Sequence, residues 1–454
     1  MARITMIGAG SIVFAKRMIS DVLSYPELDG STLALMDIDP HRLDLISRLA
    51  KQMVSNSGRR VQVVATEDRR DALRGADYVM NMIQVGGLDA YEKDIAVPRK
   101  YGIEQCVGDT LGPGGIFRSL RTWPVLRSIV HDIEELAPDA TLLNFSNPMA
   151  VNVWAMSRIS TVRIVGLCHN VNLTAKRLAG WIGVPFEQLD IRVGGINHMV
   201  WFLQLRHQGQ NMYPRLHEAM MRPEVYAEDP VRFDLMRHFG YFVSESSGHL
   251  SEYVPYFRQR PDLLEGLVER FTGEDADWLD WGRTGGYLRY CQRRRDELDD
   301  HLLAQIDGRE PIELGSSGWD AVPIIHALET GIPHRIFGNV INTGLITNLP
   351  TGSCVEVACL VDRAGIQPCH VGDLPPQLAA LCRTNVNVQE LTVRALVDED
   401  RDALHYAVKL DPLTGAVCSL DEIERMVTEM ESAYTTSTVS DRFQESLTAR
   451  TRSG

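Results

Sequence analysis

The chain has 454 residues and a formal net charge of −14, with 44% hydrophobic and 23% charged residues. This length exceeds one ordinary domain, so two domains are expected in a globular protein of average composition. The acidic balance argues against nucleic acid as a partner and leaves small neutral substrates as candidates.

The N-terminal sequence and the cysteine pattern predict the cellular location of the protein. MARITMIGAG begins a strand directly, without the charged and apolar regions of a signal peptide, and no window is apolar enough to span a membrane. Eight cysteines are scattered from Cys106 onward and form no CxxC pair. We therefore expect no membrane association and a reducing, cytoplasmic location.

The first third of the chain alternates short apolar runs with amphipathic stretches. The predicted strands are residues 3–7, 32–36, 61–65, 78–83, 141–145 and 162–167, and the first predicted helices are residues 12–23 and 41–55. This alternation predicts an α/β fold with a Rossmann-type, doubly wound parallel sheet. Ligands of such a sheet bind at the carboxyl ends of its strands.

From about residue 190 the pattern changes. Residues 191–205 resemble one strand that carries Asn197 and His198 in its middle, residues 260–300 are charged and helical, and residues 336–340 and 355–361 resemble strands. A helix is predicted over 375–397, and a loosely ordered end from Thr435 onward. We predict an NAD-binding domain over 1–195 and an α+β domain for substrate and metal over 196–454, with the site between them.

A glycine-rich turn follows the first predicted strand. Gly8-Ala9-Gly10-Ser11 would let the backbone approach a pyrophosphate at the N-terminus of the following helix. The third glycine of the full fingerprint is absent, since Val13 occupies its place. A tight turn without a ligand is the alternative.

Asp37 ends the second predicted strand, where its carboxylate could accept from a ribose 2′-hydroxyl and disfavour the 2′-phosphate of NADP. The alternative is a helix N-cap, a task that Asp39 could share. Together with Gly8 and Gly10, Asp37 favours dinucleotide binding.

Ser146-Asn147-Pro148 follows another strand, and Asn147 could reach the cofactor ribose or substrate hydroxyls. Lactate and malate dehydrogenases show a similar Asn-Pro, although their catalytic histidine motif has no counterpart here. An ordinary Asn-Pro turn is the alternative.

Cys168 and His198 stand at two predicted strand positions about thirty residues apart. A thiolate and an imidazole could hold one divalent ion and leave open positions for substrate oxygens. The alternative is a buried cysteine and a hydrogen-bonded histidine of no catalytic importance.

Several longer motifs occur in a fixed order along the chain. They are Ile7-Gly8-Ala9-Gly10-Ser11, Gly108-Asp109-Thr110-Leu111-Gly112-Pro113-Gly114-Gly115-Ile116, Asn144-Phe145-Ser146-Asn147-Pro148-Met149-Ala150, Gly166-Leu167-Cys168-His169 and Gly195-Ile196-Asn197-His198-Met199. Over nearly its whole length the chain thereby resembles glycoside hydrolase family 4, and in particular its melibiose-cleaving α-galactosidases. The resemblance implies a fold similar to that of lactate and malate dehydrogenases.

The resemblance also implies hydrolysis of α-galactosides by a redox route that departs from the two-carboxylate scheme. In the family, NAD⁺ takes a hydride from C3 of the sugar, the C2 proton is removed, the aglycone is eliminated, water adds, and C3 is reduced again. A divalent ion, typically Mn²⁺, is held by residues matching Cys168 and His198 and polarises the sugar oxygens. Tyr253 is the candidate base by position, and a packed tyrosine is the alternative.

The remaining candidates concern the leaving group and the sugar. Asp109 and His169 are candidates for assisting departure, while Asn147, Arg118, His169 and Asn170 are candidates for sugar contacts. His169 argues against a 6-phosphate substrate, and Asn170 stands where related α-galactosidases usually have serine. Another unphosphorylated glycoside, an α-glucoside or a uronide, and a plain hydroxy-acid dehydrogenase are the alternative functions. A homodimer or homotetramer is expected.

Overall fold

The computed structural model describes residues 1–270 and 282–435. Its N-terminal part alternates strands and helices. The strands are β1 (Arg3–Ile7), β2 (Thr32–Met36), β3 (Gln62–Thr66), β4 (Tyr78–Asn81), β5 (Thr141–Asn144) and β6 (Arg163–Leu167). The helices are α1 (Ile12–Ser24), α2 (Pro40–Ser57), α3 (Arg69–Leu73), α4 (Gly87–Arg99), α5 (Gly112–Leu136), α6 (Met149–Ile159) and α7 (Asn170–Ile182).

These six strands pair in parallel in the order β3-β2-β1-β4-β5-β6. The inner strands β1, β2, β4 and β5 are short and almost entirely buried, as strands covered by helices on both faces must be. The order reverses direction between β1 and β4, which is the position where doubly wound sheets bind their ligands. The predicted Rossmann-type sheet is confirmed.

The second part extends the same sheet with antiparallel strands. They are β7 (Leu189–Ile196), β8 (Met199–His207), β9 (Gln210–Asn211), β10 (His334–Ile341), β11 (Cys354–Asp362) and β12 (Gly365–Pro368). β10 pairs with β6, β11 pairs with β10, β7 and β12, and β8 follows β7 and pairs with β9. One twelve-stranded sheet therefore runs through both parts of the chain.

The second part of the chain also contains helices. They are α8 (Tyr213–Met220), α9 (Pro223–Glu228), α10 (Pro230–Phe239), α11 (Ser247–Leu250), α12 (Pro261–Arg270), α13 (Gly286–Ile306), α14 (Ala321–Thr330), α15 (Pro376–Val397), α16 (Arg401–Leu410), α17 (Pro412–Val417) and α18 (Leu420–Thr435). Within the two described ranges, no helix has both the length and the apolar composition needed to cross a bilayer. The predicted loose order after Thr435, and the prediction of helix over 271–281, fall on residues outside the described ranges.

The prediction of one strand over 191–205 is wrong. The segment is a hairpin in which Ile196 pairs with Met199, so Asn197 and His198 form a two-residue turn. His198 adopts a left-handed backbone with φ of 63°. The apolar residues on both sides of the turn are buried, so the hydrophobic pattern alone did not reveal the reversal.

Candidate active site

The loop after β1 is closely packed against the end of β2. Gly8 has φ of 83°, and the amides of Gly8 and Ala9 both donate to the Met36 carbonyl at 2.9 Å. The Gly10 amide donates to Asp37 Oδ2 at 2.6 Å. A Cβ added at Gly10 would lie only 2.6 Å from that same oxygen. The chain thus requires glycine at position 10, directly before Ser11 and the N-terminus of α1.

The capping role considered for Asp37 belongs to Asp39. Asp39 Oδ1 accepts from the amides of His41 and Arg42 at 3.0 and 3.1 Å at the start of α2. Asp37 instead lies between the glycine loop and the Asp39 amide, which donates to its Oδ1 at 3.0 Å. Its carboxylate therefore stands at the carboxyl ends of β1 and β2, where a ribose would lie.

Three potential metal ligands meet beside the carboxyl end of β6, the last strand of the parallel series. Ligand atoms of Cys168, His198 and Glu245 all lie within 4.8 Å of one another, and His198 Nε2 is 3.5 Å from Glu245 Oε2. Cys168 directly follows β6, and His198 occupies the turn between β7 and β8. The structure thus brings together the cysteine and the histidine that the sequence proposed, and adds a carboxylate.

Glu245 reaches this cluster because its segment runs along β8. The Ser244 amide donates to the Val200 carbonyl at 2.8 Å, and Val243 forms a bridge with Trp201. Glu245 itself has φ of 77°, so both it and His198 adopt a conformation that non-glycine residues seldom take. Such backbone outliers cluster at functional sites, where the surrounding structure holds them in place.

The protonation states of His198 and Glu245 are those that a bound cation requires. Burial above all lowers the pKa of His198 to about 4, so its ring is neutral and can offer a nitrogen lone pair. Burial opposes ionisation of Glu245, but His198 and His249 outweigh it and lower its pKa. Burial, with the charges of Glu356 and Glu245, raises the pKa of the Cys168 thiol, and a bound divalent cation would favour the thiolate instead.

A second group of side chains supports His198 from behind. His198 Nδ1 lies 3.1 Å from His249 Nε2 and 3.2 Å from the Tyr253 hydroxyl. A neutral ring that offers Nε2 to a cation carries its proton on Nδ1. That proton then has the Tyr253 hydroxyl oxygen as an acceptor within hydrogen-bond reach. All three side chains are buried.

Glu252 anchors this group to the loop before Asp109. Its carboxylate accepts from the amides of Val107 and Gly108 at 2.7 and 3.0 Å and lies 3.4 Å from His249 Nδ1. Burial would raise the pKa of Glu252, but its partners, His249 foremost, lower it to about 2. Burial would likewise lower the pKa of His249, and Glu252 raises it to about 9.

Asp109 lies in a polar cluster of its own. Its Oδ1 accepts from the Thr110 hydroxyl at 2.7 Å and its Oδ2 accepts from Asn147 Nδ2 at 3.3 Å. Arg118 Nη1 is 3.7 Å from Oδ2. Burial opposes ionisation, but Arg118, His249 and the Thr110 hydroxyl lower the pKa of Asp109. The ionised carboxylate fits an orienting role better than that of a general acid.

His169 and Asn170 follow Cys168 but point to different partners. The His169 ring stacks on Trp319, with ring centres 4.9 Å apart and planes 8° apart. Asn170 donates through Nδ2 to Glu245, so its amide holds a metal-ligand candidate. The segment before Trp319 is tied to α1, where the Gly315 amide donates to Ser20 Oγ at 2.9 Å.

Sequence reasoning missed Glu245, His249, Glu252 and Trp319 as site residues. Glu245 and Glu252 are two among many acidic residues, and no spacing to Cys168 or His198 marks them as neighbours. Trp319 lies in a Gly- and Ser-containing segment without periodicity. Only the three-dimensional contacts connect these residues to the site.

Comparison with known proteins assigns the class. Residues 3–184 match the sequence profile of Family 4 glycosyl hydrolase, and residues 193–414 match that of the Family 4 glycosyl hydrolase C-terminal domain. The chain belongs to this family, and the predicted resemblance is confirmed.

Individual relatives cover most of the chain. An alpha-galactosidase of Rhizobium meliloti (strain 1021) is 41% identical over 94% of this chain and 87% of its own length. An alpha-galactosidase of Bacillus subtilis (strain 168) is 40% identical over 96% and 98%. A 6-phospho-alpha-glucosidase from gut microorganisms, solved with NAD and Mn²⁺, has the same fold with a TM-score of 0.79 at 20% identity, covering 96% of this chain and 98% of its own.

Proposed function

We propose that this family 4 glycosyl hydrolase cleaves α-galactosides with the help of NAD and a divalent metal. The observation that carries the proposal is the convergence of Cys168, His198 and Glu245 beside Tyr253, at the same sheet edge as the glycine loop. The two α-galactosidase relatives, at 41% and 40% identity, support galactose as the sugar.

Mn²⁺ is the metal we propose, held by Cys168, His198 and Glu245. A sulfur, a neutral nitrogen and a carboxylate oxygen form a mixed donor set that leaves positions for sugar oxygens. We propose that NAD is held by Gly8, Gly10, Ser11, Asp37 and Asn147. Bound NAD supplies a hydride acceptor for C3 of the sugar, and the metal supplies Lewis acidity at the C2 and C3 oxygens.

Tyr253 is the base that we propose for the C2 proton. Burial and the charges of Glu245 and Asp109 raise the pKa of its hydroxyl in the protein alone. A nearby divalent cation acts in the opposite sense and would favour the phenolate. Asn385 donates from α15 to the Tyr253 carbonyl at 3.1 Å and so fixes the backbone that carries the ring.

The other polar side chains orient the sugar and its leaving group. Asp109 is already ionised and hydrogen-bonded to Asn147, so we assign it to orienting sugar hydroxyls together with Arg118. His169 is the remaining candidate for the leaving group. Burial lowers its pKa, and its ring is held by Trp319. We assign Asn170 to Glu245 rather than to direct sugar contact.

The domain division that we propose places NAD in residues 1–195 and the substrate and metal in residues 196–454. Cys168 from the first part and His198 from the second then contribute to one site. A homodimer or homotetramer is the assembly we propose.

The test is a panel of aryl α- and β-glycosides, including α-galactoside, α-glucoside and α-galacturonide, assayed with NAD⁺, Mn²⁺ and reductant each omitted in turn. We expect α-galactoside cleavage that requires all three additives, without net NADH at steady state. A C2-deuterated substrate should slow the reaction. Stoichiometric NADH accumulation would instead indicate a dehydrogenase, and undiminished cleavage without NAD⁺ would refute the redox route.

A further inference from the structure

A row of buried polar side chains lies on the antiparallel strands behind the metal ligands. Asn339 on β10 is directly opposite Glu356 on β11, and Asn197 lies in the turn that directly follows β7. Their relative exposures are 0%, 1% and 2%. Burying three polar side chains together costs free energy unless they bond to one another. None of the three has a role in the mechanism proposed above.

These side chains form a chain of hydrogen bonds that ends at Cys168. Asn197 Nδ2 donates to Glu356 Oε2 at 3.3 Å, and the Asn197 side chain lies close enough to the Cys168 thiol to lower its pKa by hydrogen bonding. Asn339, whose Nδ2 donates to the Gly166 carbonyl at 3.4 Å, also lies close enough to Glu356 to lower the pKa of its carboxyl group. Asn197 thus bridges a buried carboxyl group and the sulfur of a candidate metal ligand, and it directly precedes His198.

The backbone around this chain leaves little space. Glu356 pairs with Gly195, and Asn339 pairs with Gly166, just before Cys168. A Cβ added at Gly166 would lie 3.0 Å from the Asn339 Cβ. The glycines let the polar side chains fill the face of the sheet, so the position of Glu356 is fixed by the fold itself.

Glu356 has amides rather than cations as its neighbours in the hydrogen-bond chain. Burial raises its pKa to about 8, against the weaker effects of Asn197 and Asn339. In the described part of the chain, Glu356 Oε1, Asn197 Oδ1 and Asn339 Oδ1 are buried acceptors that receive no hydrogen bond. A proton on Glu356 would supply a donor to this group of acceptors, whereas a carboxylate would add a further unpaired charge.

We infer that Glu356 is a positioning residue which, as an uncharged carboxylic acid bonded to Asn197, holds the Cys168 sulfur in its metal-binding orientation. The inference rests on the proposed function, in which Cys168 binds the metal. Groups that orient a metal ligand from behind commonly affect metal affinity nearly as much as the ligands do. Glu356 touches neither sugar nor cofactor in this assignment.

The experiment compares Glu356→Gln, which keeps an uncharged hydrogen-bonding side chain, with Glu356→Leu, which removes it. The control is Val357→Ala. It creates a cavity in the same buried strand, but on the face of the sheet opposite to Glu356. Mn²⁺ dissociation constants are measured by electron paramagnetic resonance. In metal-free protein, the rate of Cys168 alkylation by iodoacetamide is followed by mass spectrometry.

We expect Glu356→Leu to weaken Mn²⁺ binding by about 10- to 100-fold and to change the alkylation rate of Cys168. Glu356→Gln and Val357→Ala should stay close to the wild type in both measurements. Wild-type Mn²⁺ affinity in Glu356→Leu would overturn the inference. Equal damage from Glu356→Gln would also overturn it, because the charge would then be what matters.

A second measurement covers the case in which Glu356→Leu does not fold. An infrared difference spectrum between the wild type and Glu356→Gln at pH 7 should contain the carbonyl band of a protonated carboxylic acid, and its absence would overturn the inference. Because these readouts need no turnover, they separate the two proposals. A wild type that binds Mn²⁺ but cleaves no galactoside refutes the proposed function alone, whereas a wild type that binds no Mn²⁺ refutes both.

Discussion

The ion pair between Glu252 and His249 provides a quantitative test of the electrostatics behind the site. The substitution is Glu252→Gln in metal-free protein. It leaves His249 without its counter-charge and removes the carboxylate that accepts from the amides of Val107 and Gly108. Both members of the pair are buried, so solvent screens their interaction little.

The magnitude follows from the pKa of either partner. Glu252 moves from 4.5 to about 2, and His249 moves from 6.5 to about 9. Each displacement corresponds to about 3 kcal/mol at 1.36 kcal/mol per pKa unit. Each displacement is the net of burial, which opposes the charge, and of all partners of the group, and since the Glu252–His249 pair contributes to both, they are not added. For a chain of 454 residues, the unfolding entropy is about 1 kcal/mol per degree, so the expected loss in Tm is about 3 °C.

The pH dependence distinguishes this pair from a simple packing defect. The raised pKa of His249 means that its contribution is complete below pH 6.5 and is lost as the pH rises through 9. The lowered pKa of Glu252 means that its contribution is complete above pH 4.5 and is lost as the pH falls through 2. The destabilisation by Glu252→Gln should therefore be largest between pH 4.5 and 6.5.

The assay is differential scanning fluorimetry of wild type and Glu252→Gln from pH 5 to pH 10. The Tm difference should fall by at least half between pH 6 and pH 10. Asp262→Asn is the control, because it removes a carboxylate from an exposed pair with Arg260 and should leave Tm unchanged at every pH. A Tm difference that stays constant across this range would refute the assignment of an ion pair.

Two further substitutions test the cofactor loop and the carboxylate of the metal cluster. Gly10→Ala places a methyl group 2.6 Å from Asp37 Oδ2 and should weaken NAD⁺ binding at least 10-fold by titration calorimetry, whereas Gly266→Ala, which meets nothing within 4 Å, should not. Glu245→Gln should weaken Mn²⁺ binding at least 10-fold and leave NAD⁺ affinity unchanged. Unchanged Mn²⁺ affinity would remove Glu245 from the ligand set.

The parallel half of the fold was accessible from the sequence because its signals are local. The first two strands are buried apolar runs, and each is followed by a turn with a recognisable residue. Gly8 permits a positive φ after β1, and Asp39 caps the helix that follows β2. The antiparallel extension gave no such signal. The pairing of β10 with β6 joins residues about 170 positions apart, and sequence periodicity carries no information about partners at that distance.

Some residues of the candidate site could be identified from the sequence, and others only from the structure. Cys168 and His198 were identified because they lie in motifs of the family resemblance, whereas their spacing alone left a buried cysteine and a hydrogen-bonded histidine as the alternative. Glu245 was not distinguishable from other acidic residues, since its importance comes from a left-handed backbone beside β8. Asn170 was predicted as a sugar contact from the family resemblance, and its hydrogen bond to Glu245 is a contact that only the structure reveals.

The single sheet that runs through both parts of the chain limits how the enzyme can move. Hydrogen bonds between β6 and β10 and between β11 and β7 link the cofactor side to the metal side without a hinge. Bending between these halves would break buried backbone hydrogen bonds, which is costly. The sheet therefore holds the glycine loop and the Cys168–His198 cluster at a constant spacing, and the proposed NAD and metal sites would keep that spacing through a catalytic cycle.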